Sequence, residues 1–138
     1  MSTAFASIDI ALDSRLNTLT SSPPVVWENT LYTPVSGTTY LRPTNLTGTT
    51  AQASLGDTGL DKYQGIYQID VFAPLGDGPG AANAQADLVA DHFSRGTDLT
   101  SGAVVVSLGD VSRGTGTKDG DRYLIAVKIN YTAYIAPR

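Results

Sequence analysis

The stretch YQIDVFAPLGDGPGAANAQADLVADHF, residues 67–93, decides the expected fold because its hydrophobic pattern changes part-way along. In its first part, apolar side chains occupy both alternating faces, which is typical of a strand inside a sheet. After the glycine-rich segment, apolar residues recur every three or four positions, as on the buried side of a helix. These residues are Ala82, Ala86, Val89 and Phe93. The stretch predicts a strand over residues 65–73 and a helix over residues 79–93.

A strand, a glycine-rich loop and a helix in this order are also the layout of many phosphate-binding loops. Such loops bring backbone N–H groups close to the anion, and a lysine or the helix dipole adds positive charge. No Lys or Arg lies between Lys62 and Arg95, and Asp77 lies among the glycines, where it would repel phosphate. The spacing matches neither the Walker pattern nor the dinucleotide fingerprint. We therefore interpret the glycines as a tight exit from the strand.

Patterns elsewhere in the chain predict a second helix and four more strands. An apolar stripe at helical spacing predicts a helix over residues 5–20, which ends before Pro23 and Pro24. The further strands are expected at residues 25–29, 38–43, 103–111 and 121–134. Most of these strands are joined by turns, so we expect an α+β fold in one domain, residues 1–138. Its single, mainly antiparallel β-sheet would be flanked by two α-helices.

Two polar segments are predicted to be loops. Residues 45–63, NLTGTTAQASLGDTGLDKY, are rich in Thr, Gly and Asp, and residues 112–120, SRGTGTKDG, would connect the last two strands as a hairpin loop. Loops longer than about 12–15 residues are uncommon inside a compact domain and are usually functional or disordered. Residues 45–63 are therefore the first place to expect partner contacts. Pro43 limits the strand before them to a sheet edge or a strand end.

Composition narrows the range of functions. The 138 residues include no cysteine, which excludes disulfides, thiolate zinc sites and cysteine nucleophiles. The net charge of −4 and the pI near 4.6 give no basic field for a nucleic-acid backbone. No run of about 18 apolar residues suggests a membrane span. The N-terminal segment lacks the basic start and apolar core of a signal peptide, so we expect a soluble cytoplasmic chain.

No set of residues predicts catalysis, a cofactor or a metal site. His92 is the only histidine and is expected to pack or to cap a helix, since no G-x-S-x-G elbow accompanies it. Close acidic pairs occur at residues 56–61 and 118–121, but neither completes a calcium loop, and we interpret both as solvated turns. Asp87 and Asp91 place like charges one helical turn apart, which indicates a partner surface. Tyr40 and Tyr63 near strand ends could anchor an interface.

Four segments resemble the tail terminator proteins of long-tailed (siphovirus-type, lambda-like) bacteriophages. They are VVWENTLYTPVSGTTYLRP, LGDTGLDKYQGIYQIDVFAPLGDGPG, ADHFSRGTDLT and GDRYLIAVKINYTAY. The resemblance extends in the same order from the first helix to Tyr134, and the segments are specific in combination rather than singly. It implies an α+β structural virion protein with no catalytic residues and no cofactor.

The resemblance also implies partners and a location. Such proteins form a homohexameric ring that caps the tail tube, stops its polymerisation and provides the surface that joins the head. The expected partners are further copies of the chain, the tail-tube protein and a head–tail connector or completion protein. Neither a membrane nor direct nucleic-acid binding is expected, beyond lining a DNA passage. The protein would be assembled in the host cytoplasm and reside in the virion tail.

Arginines are the expected contacts between ring subunits, because their planar fork binds carboxylates in a bidentate manner. Arg42, Arg95, Arg113 and Arg122 are the candidates for meeting acidic groups on a neighbour. Two other functions stay open at this point. One is another tail or neck component, such as a head–tail completion or tail-tube protein. The other is a small hydrolase or ligand-binding domain, which would need a concave pocket with convergent polar groups.

Overall fold

The computed structural model describes the chain at residues 4–19, 24–27, 39–52, 61–74, 80–101, 104–114, 116–119 and 122–135. Within these ranges the chain forms two helices and six strands. They are α1 (Ala4–Asn17), β1 (Tyr40–Gln52), β2 (Asp61–Pro74), α2 (Gly80–His92), β3 (Asp98–Ser101), β4 (Val104–Arg113), β5 (Thr117–Asp119) and β6 (Arg122–Ile135). None of the helices in these ranges is long and apolar enough to cross a membrane.

The strands form one sheet in the order β1-β2-β6-β4-β3, and β5 pairs with β6 outside this path. All five strand pairings are antiparallel. β2 has a partner on each side, and its pairing with β6 runs without a break from Asp61 opposite Ile135 to Pro74 opposite Arg122. The expected α+β fold with a mainly antiparallel sheet and two helices is confirmed.

Both helices pack on the same side of the sheet, which we call the helix face. Tyr67 of β2 identifies this side, because its hydroxyl donates to Asp13 of α1 at 2.6 Å. The ring of Tyr67 also lies 5.7 Å from the ring of Phe93, directly after α2. Buried apolar side chains from α1, α2 and the four long strands meet here in one core. Burying each large aliphatic side chain contributes about 1.5–3 kcal/mol.

The apolar stripes predicted for the helices form this core contact. In α2, all four predicted positions, Ala82, Ala86, Val89 and Phe93, are buried. In α1, Ile8, Leu12 and Leu16 are buried, while Phe5 at the start is 53% exposed. Phe5 instead contacts Tyr63 edge-on, with the ring centres 5.6 Å apart.

The C-terminal ends of the two helices are bonded to each other. Arg15 Nε donates to the backbone oxygen of His92 at 2.9 Å. His92 Nε2 in turn lies 2.7 Å from the backbone oxygen of Arg15 and 2.9 Å from Thr18 Oγ1. His92 thus satisfies a carbonyl at the end of α1, in agreement with the capping or packing role expected for it.

The structure corrects the predicted loop over residues 45–63. β1 continues to Gln52 and β2 begins at Asp61, so both ends of the segment are strand, and residues 53–60 lie outside the described residues. The polar composition is explained by the position of β1, because an edge strand has a neighbouring strand on one side only. Threonine, which is β-branched, favours strands despite its hydroxyl. Thr44 and Thr47 lie opposite Gln68 and Gly65 of β2.

Pro43 is accommodated because its nitrogen faces away from β2. Leu41 donates its N–H to the oxygen of Pro24 at 2.9 Å and accepts from Val26 N–H at 2.7 Å, so its polar groups point outward. Pro43, two residues further on, points its nitrogen the same way. The missing N–H therefore costs no bond to β2, and Pro43 lies within an edge strand rather than at its end.

Three other boundaries differ from those predicted. α1 ends at Asn17 instead of extending to residue 20. The strand expected at residues 25–29 is reduced to an isolated parallel bridge between Val25 and Leu41, and residues 28 and 29 lie outside the described residues. The hairpin loop expected at residues 112–120 is partly strand, because β4 reaches Arg113 and β5 pairs with β6. The short, polar β3 was not predicted at all.

Candidate functional site

Side chains of β1, β2 and β6 alternate between the helix face and the opposite side of the sheet, which we call the second face. Near the start of β1, five side chains on the second face lie together. They are Tyr40, Arg42, Asp70, Phe72 and Arg122, which we call the arginine–aromatic cluster. The register explains this, since Tyr40 lies opposite Phe72 and Arg42 lies opposite Asp70.

Rings and guanidinium groups alternate through this cluster. The rings of Tyr40 and Phe72 are stacked, with centres 4.7 Å apart and planes inclined by 12°. The Arg42 guanidinium lies 4.8 Å from the centre of the Phe72 ring, and that of Arg122 lies 5.0 Å from the Tyr40 ring. Each such cation–π contact contributes about 0.5–2 kcal/mol, depending on desolvation.

Asp70 is bonded inside its own chain on both carboxylate oxygens. Arg42 Nη2 lies 3.2 Å from Asp70 Oδ2, and Gln68 Nε2 donates to Asp70 Oδ1 at 2.8 Å. Asp70 is only 4% exposed, so an unpaired charge would be costly there. The cluster therefore stabilises this end of the sheet and leaves half of the Arg42 side chain exposed.

A second polar arrangement lies on the helix face, toward the other end of β1 and β2. A cavity of about 270 Å³ opens between the first turns of α1 and the strands, and we call it the Asp9 pocket. Its lining residues on α1 are Phe5, Ile8 and Asp9, and those on the strands are Asn45, Thr47, Gly48, Thr50, Tyr63, Gln64 and Tyr131. Apolar walls and a few convergent polar groups are the usual composition of a binding site.

Three polar side chains of the Asp9 pocket form one series of hydrogen bonds. Tyr131 Oη donates to Asn45 Oδ1 at 2.7 Å, and Asn45 Nδ2 donates to Asp9 Oδ1 at 2.6 Å. A carboxylate only accepts, so Asp9 fixes the orientation of the Asn45 amide, and the amide oxygen then requires a donor from Tyr131. Burial raises the pKa of Tyr131, and the charge of Asp9 raises it further.

Gly65 leaves space for the hydrogen bond between Tyr131 and Asn45. It lies opposite Tyr131 in the pairing of β2 with β6. A Cβ atom at this position would lie 2.7 Å from Tyr131 Oη and 2.7 Å from the backbone oxygen of Leu46. Only glycine lets the Tyr131 ring cross β2 and reach Asn45 on β1.

The predicted interface residues fall into four groups. The arginine–aromatic cluster contains Tyr40, Arg42 and Arg122, of which Arg122 is 6% exposed. Tyr63 is buried and forms part of the wall of the Asp9 pocket. Arg95 lies 3.5 Å from Asp110, with both side chains largely exposed, and exposed Arg113 donates to the oxygen of Gly114 at 3.3 Å. The exposed residues of α2 include Asp87 and Asp91. Their role in contacts between subunits stays a prediction.

Three residues of the Asp9 pocket were not singled out from the sequence, namely Asp9, Asn45 and Tyr131. The hydrogen bonds that join them span 36 and 86 positions, so no local motif contains them. One local signal was available, because Gly65 in an otherwise bulky strand indicates a close approach by another group. Among the described residues, no group of three or more side chains could hold a metal ion.

Comparison with known proteins agrees with this architecture. No match was found among curated proteins. Six chains of solved structures match, and one of them is 25% identical to this chain, with a TM-score of 0.77 over 99% of this chain and 100% of its own. Residues 7–131 match the family model described as phage tail terminator protein. Because this match spans most of the sequence, the chain belongs to the phage tail terminator family and is a structural component of a phage tail.

Proposed function

We propose that the protein forms a hexameric ring that caps the tail tube, stops its polymerisation and provides the surface to which the head joins. Membership of the tail terminator family supports the tube-capping role. The ring itself is supported by the charges on the two sides of the subunit. In this role the protein acts by binding and catalyses no reaction.

The two sides of the subunit carry charges of opposite sign. The described parts of the two helices carry one arginine, Arg15, and four aspartates, which are Asp9, Asp13, Asp87 and Asp91. On the second face of β1, β2, β3 and β6, the cations are Arg42, Lys62, Arg122 and Lys128, and the anions are Asp70 and Asp98. A ring requires a heterologous contact, in which one patch meets a different patch on the next copy. Oppositely charged sides suit such a contact, because they favour front-to-back association and oppose front-to-front pairing.

Exposed apolar side chains occur on both of these sides. Ile10 of α1 is 56% exposed and Leu88 of α2 is 49% exposed. On the second face, Leu46, Val105 and Tyr134 are 46%, 44% and 53% exposed. Such residues supply the apolar part of an interface, and the charges select its orientation.

The first test is the solution mass, measured by light scattering over a range of concentrations. Six copies of the 14.4 kDa chain give about 86 kDa, which is the expected result. A dimer with no larger species would contradict the ring. Long tubes formed by the purified protein alone would favour the alternative assignment as a tail-tube protein.

The second test addresses capping directly. The protein is added to tail-tube protein of the same phage during polymerisation, and tube length is measured by electron microscopy. We expect shorter tubes with one end closed, at a ratio of about one ring per tube. Unchanged tube lengths at saturating protein would reject the terminator function, also for a chain that is monomeric on its own.

A further inference from the structure

The hydrogen-bonded residues of the Asp9 pocket leave acceptors free on Asp9 and Tyr131. The Tyr131 hydroxyl donates to Asn45, and the Asn45 amide donates to Asp9. The second oxygen of the Asp9 carboxylate has no partner among the described residues, and the Tyr131 oxygen keeps its lone pairs. A ligand that brings hydrogen-bond donors can bond to both of these acceptors.

The charge and walls of the Asp9 pocket restrict the ligand further. Asp9 contributes a carboxylate at the exposed side of the cavity, and its neighbours on the wall include the rings of Phe5 and Tyr63. An aromatic face beside a carboxylate attracts a cation more strongly than either group alone. The cavity of about 270 Å³ is several times the ~30 Å³ that one water occupies in the liquid. These features fit the ammonium group and the stem of a lysine.

One lysine on the second face is placed to act as this ligand in a front-to-back ring. Of the four cations on that face, Arg42 is paired with Asp70, Arg122 is buried and Lys62 is half-buried. Lys128, in the middle of β6, is exposed, with no hydrogen bond or ion pair to a described residue. Its three donors match the acceptors left in the Asp9 pocket.

We propose that the Asp9 pocket receives Lys128 of the neighbouring copy, so that the contact between ring subunits is an ammonium group held by Asp9, Asn45 and Tyr131. The inference rests on the proposed ring. It assigns the second face of one copy to the helix side of the next. The occupant is a second copy because the second face supplies an exposed lysine and the helix side supplies the carboxylate.

Matched variants test the two partners separately. Asp9→Asn keeps the acceptor for Asn45 but removes the charge, and we expect it to raise the subunit concentration for half-assembly at least tenfold. Asp110→Asn, an exposed aspartate of β4 outside the pocket, should change this concentration less than threefold. Lys128→Glu should act as strongly as Asp9→Asn, whereas Lys118→Glu, at an exposed lysine of β5, should not. Thermal unfolding of each variant checks that the subunit still folds.

Charge exchange gives the decisive comparison. The double variant Asp9→Lys with Lys128→Glu should assemble within about threefold of the wild-type concentration, although each single change should raise that concentration at least tenfold. If wild-type protein forms the ring and Asp9→Asn assembles equally well, the lysine contact is wrong while the proposed ring stands. If wild-type protein neither forms a ring nor caps tubes, the proposed function itself fails.

A binding measurement tests the Asp9 pocket without relying on the ring. Nα-acetyl-lysine N-methylamide is titrated into the protein while the side-chain amide signals of Asn45 are followed by NMR. We expect saturable shifts in the wild type that are lost in Asp9→Asn. The absence of shifts, together with a lower melting temperature for Asp9→Asn, would show that Asp9 acts within its own subunit, and would overturn the proposal.

Discussion

The arginine–aromatic cluster and the Asp9 pocket lie on the same two strands, β1 and β2, but on opposite faces of the sheet. In the cluster, Asp70 is buried and both of its oxygens are bonded within the chain. In the pocket, Asp9 is exposed and is bonded through one oxygen. Two carboxylates of the same type therefore have different uses. The buried one contributes to folding, and the exposed one is available to a partner.

The largest effect is expected from Gly65→Val, which fills the space that Gly65 leaves for Tyr131 of the Asp9 pocket. The new side chain would collide with the backbone oxygen of Leu46 and with Tyr131, which belongs to the Asp9 pocket. We expect a loss of about 3 kcal/mol in the free energy of unfolding, measured by urea denaturation. Gly109→Ala is the control, because its Cβ would lie 3.5 Å from the nearest atom and should cost less than about 1 kcal/mol. Equal costs would show that the close approach at Gly65 is not real.

The next largest effect is expected from removing the buried carboxylate of Asp70, in comparison with the exposed carboxylate of Asp9. Asp70→Ala removes a buried group and leaves Gln68 and Arg42 without their partner, so we expect a loss of about 2 kcal/mol. Asp9→Ala should cost less than about 1 kcal/mol, because water can replace the exposed carboxylate. The free energy of unfolding of both variants is measured under the same conditions. A larger cost for Asp9 would reverse the assignment of the two roles.

The contribution of Tyr131 to the free energy of unfolding is expected to depend on pH. Its pKa is raised from 10.0, chiefly by burial, so the folded protein keeps this proton at a pH where the unfolded chain loses it. The resulting stability is complete below about pH 10 and declines as pH rises through the folded pKa, by up to ~1.4 kcal/mol per pH unit. Tyr131→Phe should lose about 1 kcal/mol at pH 7 and also lose this part of the alkaline decline.

The control for Tyr131 is Tyr134→Phe, which removes an exposed hydroxyl three residues away. Its unfolding free energy should decline above pH 10 as steeply as that of the wild type. Identical pH profiles for Tyr131→Phe and the wild type would mean that the Tyr131 hydroxyl is not buried in the folded protein.

The smallest effect is expected at a charge pair outside both regions. Arg95 and Asp110 lie 3.5 Å apart, and their side chains are 80% and 73% exposed. Arg95→Ala should change the free energy of unfolding by less than about 0.5 kcal/mol, because solvent screens such pairs. A loss above 1 kcal/mol in the isolated subunit would show that this pair is part of a larger network.

The sequence predicted the helices and β2 well because their hydrophobic patterns are strong and local. Ile8, Leu12 and Leu16 have the spacing of one helical face, and both faces of β2 carry apolar residues. Only the first part of β1 was predicted from the sequence, because its threonines, glycine and asparagine have the composition of a loop. Its strand conformation depends on pairing with β2, which local composition does not reveal.

The two polar clusters differ in how far the sequence could identify them. Tyr40, Arg42 and Arg122 were selected as candidates one by one, but the stacking that joins them depends on the register of β1 against β2. Asp9, Asn45 and Tyr131 come from three separate elements, so only the folded chain shows that they form one site.

The outward side of β1 has a consequence for the behaviour of the protein at high concentration. An open sheet edge is a template for strands of other molecules and promotes edge-to-edge aggregation. Here Pro24 and Val26 already occupy the polar groups of Leu41, and Pro43 offers no N–H. The opposite edge, β3, is only four residues long. These features oppose edge-to-edge pairing at the start of β1 and at β3, so we expect copies to associate through the faces of the subunit.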